Sequence, residues 1–316
     1  MIHYKTFFLI LCISLLSGCN SLLFQPEKKH YIEPEQLNIA SRDIYFNTRD
    51  GLTLHGWFLP AKKPARATIL FLHGNAQNIS THIASVFWMP DAGFNVFLFD
   101  YRGYGYSEGT PELEGLLVDF DAAVEALQHI REVDTNKIFI FGQSLGAAIS
   151  VTGLSTSPYQ EKIRGLIIEG AFTGYRDISR EVLSKFWLTW PFQWPLSYTI
   201  TDCCRPLDAI SLIKPVPILI IHSKDDQIIP VHHAIELHAA ASPEKQLWLY
   251  EGYSHIQIFK NKENRVRLVK YLDEILTGKN RPIKEALINP TVRGEVLSLT
   301  KGRTMNTKSN KTSMLK

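Results

Sequence analysis

Several stretches of this chain are apolar almost without interruption: "ATILFL" at 67–72, "FNVFLF" at 94–99, "IFIF" at 138–141, "GLII" at 165–168 and "ILII" at 218–221. A strand with one face in water alternates apolar and polar residues. A strand that is apolar on both faces is buried on both, which is the habit of parallel sheets covered by helices. The segments between these runs fit that reading. "PELEGLLVDFDAAVEALQHI" (111–130) places its apolar residues at helical spacing, a helix is expected from about Leu145, "VHHAIELHAAA" (231–241) reads as another, and a last one follows His255. Ahead of them "DIYFNTRDGLTLHGWFLP" (43–60) has two alternating runs around Arg49-Asp50-Gly51, a hairpin signal. The expected class is α/β: a mostly parallel central sheet with helices on both faces. In such sheets chemistry sits beyond the carboxyl ends of the strands.

The chain has 316 residues, 45% hydrophobic and 21% charged, enough for one domain of roughly 250 residues with extra segments at its ends. Its net charge of +3 hides a division. From Lys279 onward nine Lys or Arg face only Glu285 and Glu295, so the tail is +7 and the rest about −4. That excludes a basic nucleic-acid-binding domain; residues 279–316 read as a basic, disordered tail.

At the other end, Lys5 precedes "FFLILCISLL", ten residues apolar but for Ser14, too short to span a bilayer and suited to the core of a signal peptide. "LSGC" follows at 16–19 and resembles the lipobox of bacterial lipoproteins. The resemblance implies a signal peptide over 1–18 and lipidation of Cys19, with a tether over 19–40. Asn20 after the cysteine implies the outer membrane rather than the inner. With Cys12 in the signal and Cys19 lipidated, only Cys203 and Cys204 remain, read as two ordinary thiols in preference to a bond between neighbours. They have no metal-ligand spacing.

Three strand ends carry reactive side chains. Ser144 follows "IFIFG" within Gly142-Gln-Ser-Leu-Gly146, Asp225 and Asp226 follow "ILIIHSK", and His255 follows "LWLYEGYS". The order Ser, acid, His, with Gly-x-Ser-x-Gly at a strand-to-helix turn, is that of α/β-hydrolases. Glycines flanking the serine allow a tight, strained turn that exposes its hydroxyl.

From about Ile44 to Leu276 the chain resembles the α/β-hydrolase family, in particular compact serine hydrolases. "FLHGN" (71–75), "FDYRGYGYSEG" (99–109), "FGQSLG" (141–146) and "HSKDDQIIP" (222–230) match in order. One departure is Ser223, where the family often has Gly; it is expected to shape a turn only. The domain is placed at 41–278, with a cap insertion at about 175–207. The resemblance implies Ser144 as nucleophile, His255 as general base, and Asp226, four before Pro230 as in the family's Asp-x-x-x-Pro, as the orienting acid in preference to Asp225. It implies an oxyanion hole from the backbone N–H groups of Leu145 and Asn75, with Ala76 the alternative. His73 has either a loop-orienting or a structural role. His129, His232, His233 and His238 fall on helix faces and His222 at a strand end, with no catalytic part. "DYRGYGYSEG" lacks the Lys and Ser/Thr of a phosphate-binding loop and reads as a structural turn.

Within the insertion, Trp187, Trp190 and Trp194, with Phe186 and Phe192, exceed what a solvent-exposed loop carries. They are expected to pack in the cap and line an apolar acyl pocket, membrane contact being the minority alternative. The expected activity is cleavage of carboxylic esters or thioesters through an acyl-enzyme. The alternatives are a non-catalytic binding or scaffold protein on the same fold, or an acyltransferase or amidase on the same three residues. A serine nucleophile excludes haloalkane and epoxide chemistry that uses Asp. The chemistry implies no cofactor and no metal. The partners expected are a small or acylated substrate and, through the anchor, a membrane, with no nucleic acid; the sequence leaves the oligomeric state open.

Overall fold

A computed structural model describes residues 23–185 and 187–278. The signal segment, Cys19, the basic tail and Phe186 lie outside the described residues.

The central sheet has eight strands: β1 (Arg42–Asn47), β2 (Thr53–Leu59), β3 (Ala67–Leu72), β4 (Phe94–Phe99), β5 (Ile138–Gln143), β6 (Ile163–Glu169), β7 (Ile218–Ser223) and β8 (Lys245–Tyr250). Their spatial order is β8-β7-β6-β5-β3-β4-β2-β1. Only β2 runs against its neighbours β1 and β4; every other pairing is parallel. The expected mostly parallel sheet is therefore present, and the hairpin turn falls at Gly51, whose φ of 90° is natural for glycine.

Each parallel strand divides its apolar residues between two cores, because successive side chains point to opposite faces. Leu70, Leu72, Ile138 and Ile140 face the core closed by helices α1 (Leu113–Leu127) and α2 (Leu145–Thr156). Ile69, Phe71, Phe139 and Phe141 face the other, closed by α6 (Lys262–Leu276) and the segment 79–89. Each fully buried side chain of this size contributes about 1.5–3 kcal/mol through its removal from water. The insertion after β6 contributes α3 (Tyr175–Ser184) and α4 (Gln193–Tyr198), and α5 (His232–Ala240) follows β7.

The Gly-rich turn after β4 is held by Arg102, almost wholly buried. Its guanidinium donates to Asp119 on α1 at 2.9 Å and to Asp50 in the hairpin at 2.9 Å. The turn is thus a junction between hairpin, sheet and helix.

The expectation of a tether at 19–40 is corrected for its described part. Residues 23–37 lie on the domain: Gln25–Pro26 pairs in parallel with Ala76–Gln77, Phe24 joins the core of α1 and α2, and the His30 ring stacks on Tyr106. Asn78 Nδ2 donates to the carbonyls of Glu27 and Lys29 at 2.8 Å each. A stretch that is polar by composition is ordered here by backbone carbonyls and amides, which composition does not display.

Candidate active site

Ser144 stands where β5 becomes α2, with φ 54° and ψ −115°. That left-handed value is costly for a residue with a Cβ and is kept only where its surroundings leave no alternative. Here they do. The Ser144 N–H donates to the Glu169 carbonyl of β6 at 2.9 Å, and the Ser144 carbonyl accepts from Ala147 and Ala148 as the first turn of α2. A Cβ at Gly146 would strike the carbonyl oxygens of Leu72 and His73, and one at Gly142 would strike Ser150 and the backbone of Gly146 and Ala147. The two flanking glycines therefore let α2 start against the end of β3, and the serine absorbs the strain between them.

The loop after β3 runs beside this serine. A Cβ added to Gly74 would lie 3.7 Å from the Ser144 Cβ. The next residue, Asn75, is fixed by its side chain: Oδ1 accepts from Gln25 N–H at 3.1 Å and the Tyr104 hydroxyl at 2.9 Å, and Nδ2 donates to the Leu23 carbonyl at 2.6 Å. Two neutral histidines back the loop. His73 Nδ1–H donates to the Gly74 carbonyl at 2.7 Å and His82 Nε2–H to the Ala76 carbonyl at 2.9 Å. Burial holds both imidazoles below their ordinary range.

His255 follows β8 and meets Asp226 from the end of β7. Its Nδ1–H donates to Asp226 Oδ2 at 2.6 Å, while Oδ1 of the same carboxylate accepts from Ile228 N–H at 2.8 Å and Ile229 N–H at 3.0 Å. The Asp226 side chain is 1% exposed. Burial alone would raise its carboxyl, but the hydrogen bond and charge of His255, with the two amides, outweigh it and hold the group below the ordinary carboxylate range. An ionised Asp226 fixes the imidazole with its proton on Nδ1, which leaves Nε2 to accept one. Asp225 has a different place: it is exposed and its Oδ2 accepts from Gly252 N–H at 2.6 Å.

The link between serine and histidine runs through β6. Gly170, one residue beyond the carbonyl that receives Ser144 N–H, has φ 64°, and a Cβ there would lie 2.9 Å from His255 Cε1. Ile256, beside His255, also takes a left-handed φ of 50°, unusual for a β-branched residue, and its side chain reaches both Gly74 and Gly170. Sequence reasoning missed Ile256 because nothing in "SHIQ" signals strain. It also missed Glu169. This carboxyl is 1% exposed, accepts from Gln143 Nε2 at 2.7 Å and Ile258 N–H at 3.2 Å, and is pushed up to about 7 by burial against those hydrogen bonds. The one signal available was a lone carboxylate closing an apolar strand.

Ser223, expected to be only a turn residue, does more: its hydroxyl donates to the Tyr253 carbonyl at 2.6 Å and so joins the end of β7 to the loop of His255. His222 is buried at its strand end and donates to the Ile229 carbonyl at 2.8 Å. Cys203 and Cys204 are free thiols, Cys204 buried and pushed up to about 12 by that burial.

The packing expected of the insertion's tryptophans is corrected. Trp187, Trp190 and Trp194 are 86%, 59% and 54% exposed. Their segment is anchored instead by Tyr175, Ile178, Ile200 and Cys204, which enter the core of α1 and α2. The short helices turn these smaller groups inward and leave the indoles outside.

Among the described residues two clusters offer three ligand atoms within 4.8 Å of one another, His30 with His55 and Asp100, and Glu181 with His232 and His233. Neither includes Ser144, Asp226 or His255.

Comparison with known proteins agrees with this fold. A family model described as "Serine aminopeptidase, S33" matches residues 63–202. The uncharacterized protein YfhR of Escherichia coli is 33% identical over 266 residues, which cover 82% of this chain and 88% of YfhR. The alpha/beta hydrolase domain-containing protein WAV2 of Arabidopsis thaliana is 33% identical over 68% of this chain and 71% of its own. Among solved structures, the Pyrococcus furiosus esterase Pf2001 superposes with a TM-score of 0.65 at 22% identity, covering 80% of this chain and 99% of that one. The hypothetical protein PA2218 from Pseudomonas aeruginosa gives 0.60 at 17% identity over 79% and 98%. With its strand order, its elbow and relatives matched over most of its length, the chain belongs to the α/β-hydrolase family of hydrolases.

Proposed function

We propose that the protein is a serine hydrolase of carboxylic esters or thioesters, held at the bacterial cell envelope by a lipidated Cys19. The observation that carries the catalytic reading is the pairing of Ser144 at a strained elbow with a buried, ionised Asp226 on His255 at the same sheet edge. Ser144 Oγ attacks the acyl carbonyl while His255 Nε2 takes its proton. Asp226 keeps the imidazole tautomer and stabilises the imidazolium without itself taking a proton. The negative oxygen meets backbone N–H groups of Leu145 and Asn75. Leu145 is the first residue of α2, where amides have no partner within the helix, and such donors are each worth on the order of 100- to 1,000-fold in rate. His255 then returns the proton to the leaving alcohol or thiol, and water releases the acyl group by the reverse sequence.

The test is labelling of the full chain in detergent by a fluorophosphonate probe, beside Ser144→Ala. Labelling confined to the parent chain, with turnover of p-nitrophenyl esters, is expected. A folded parent chain that takes no label overturns the reading in favour of a binding or scaffold role. Metabolic incorporation of a palmitate analogue, abolished in Cys19→Ala, tests the anchor, and fractionation of the two membranes tests the outer-membrane placement.

A further inference from the structure

We propose that the outer face of the insertion is a membrane-docking surface, seated on the phospholipid bilayer to which the chain is anchored. This rests on the lipid anchor proposed above at Cys19.

Residues 186–201 contain no charged residue, yet the described part of this run is largely in water: Trp187, Trp190, Phe192, Trp194 and Tyr198 are each more than half exposed. Water is a poor solvent for such a surface, and monomers rarely leave one of this kind uncovered without a use. The run is too short to cross a bilayer, and no described helix is long and apolar enough to do so. Short helices bearing Trp and Tyr outward suit the interfacial layer, where an aromatic body is buried and its polar tip stays wet. Cations frame the patch: Arg180 lies 4.6 Å over the Trp194 ring and Arg176 5.1 Å over Tyr198.

The choice of a bilayer as occupant comes from where the chain's beginning is held. Leu23 to Pro26 are bound to the loop of Asn75 at the carboxyl end of β3. The insertion rises from the carboxyl end of β6, the same edge of the parallel sheet. Only four residue steps separate Cys19 from Leu23, a reach of at most about 14 Å. An acyl anchor on Cys19 thus brings the membrane to the edge of the sheet that carries both Ser144 and the exposed indoles.

The six tryptophans make the test specific. Trp57, Trp88 and Trp248 are buried and Trp187, Trp190 and Trp194 exposed, so quenching by lipid reports on the insertion alone. The full chain is reconstituted into phosphatidylcholine vesicles whose acyl chains are brominated near the carbonyl, and into unbrominated ones. Emission is expected to fall to about half in the brominated vesicles, since three of six indoles are reachable, and the difference should vanish in W187A/W190A/W194A. Equal emission from the parent chain in both lipids overturns docking. So does equal emission accompanied by a doubled mass, which would give the face to a second copy. Fluorophosphonate labelling of the same samples reads the hydrolase proposal separately: quenching without label sinks that reading and leaves docking standing, and label without quenching does the reverse.

Discussion

Two segments at the carboxyl edge of the sheet have opposite construction. At the junction of β5 and α2, Ser144 is held by a neighbouring strand, by its own helix and by two glycines at which a Cβ would strike the backbone. In the insertion that follows β6, the large side chains from Trp187 to Tyr198 face outward and are tied down by only a few inward anchors. Precise chemistry needs groups fixed to within about half an ångström, whereas recognition of a fluid or variable partner needs area and polarity more than position. On the two proposals made above, one fold would supply both by placing the first on strand ends and the second on a loop between them.

The difference predicts a graded set of responses. Ser144→Ala should remove ester turnover by on the order of 10⁴-fold or more, measured as kcat on p-nitrophenyl esters, with the fold retained. Asp226→Asn should cost on the order of 10³-fold. Its Oδ1 is committed to the Ile228 and Ile229 amides, so an asparagine would turn its NH₂ toward His255 and force the proton onto Nε2, the wrong tautomer. Asp225→Asn, on an exposed acid that caps Gly252, should change kcat less than about threefold, within the spread of surface substitutions. A large loss there would reverse the assignment of the acid.

Gly146→Ala should lower stability by about 3 kcal/mol, read from denaturant midpoints, because its new methyl meets the backbone of β3. Glu169 adds a pH dependence. Its ordinary value is 4.5 and burial raises it to about 7 in the folded chain, so the stability given by the neutral carboxyl is full below about 4.5 and is lost as pH rises through about 7. Integrated, that is on the order of 3 kcal/mol. Glu169→Gln should flatten the fall in melting temperature over this window, since Gln143, whose Oε1 has no partner, can turn its amide to receive the new NH₂. Smallest of all, Trp187→Ala should leave stability within about 0.5 kcal/mol. A larger loss would mean that the insertion is packed after all.

The sheet was legible because buried parallel strands have few ways to be written: uninterrupted apolar runs closed by glycines. The places of Ser144, Asp226 and His255 along the carboxyl edge were legible because each follows the end of an apolar strand within five residues. Asp226 was separated from Asp225 only by likeness to the family's spacing; in the structure the carboxylate on His255 Nδ1 is that of Asp226. Glu169, Gly170 and Ile256 were not legible, since their part is to pass a constraint sideways from one strand to the next, and no local pattern encodes a lateral neighbour. The outward tryptophans were misplaced because aromatic content measures appetite for burial without saying what does the burying.

The segment from Leu23 to His30 changes what a shortened version of this protein would be. Counting strands, a chain beginning at Arg42 looks complete. It would lack every hydrogen bond that Leu23, Gln25, Glu27 and Lys29 share with Asn75, Gln77 and Asn78, and with them the outer wall of the loop beside Ser144. Such a truncation would still fold its sheet while loosening the loop that lies beside Ser144. For this protein, a weakly active trimmed enzyme would be a statement about where it was cut.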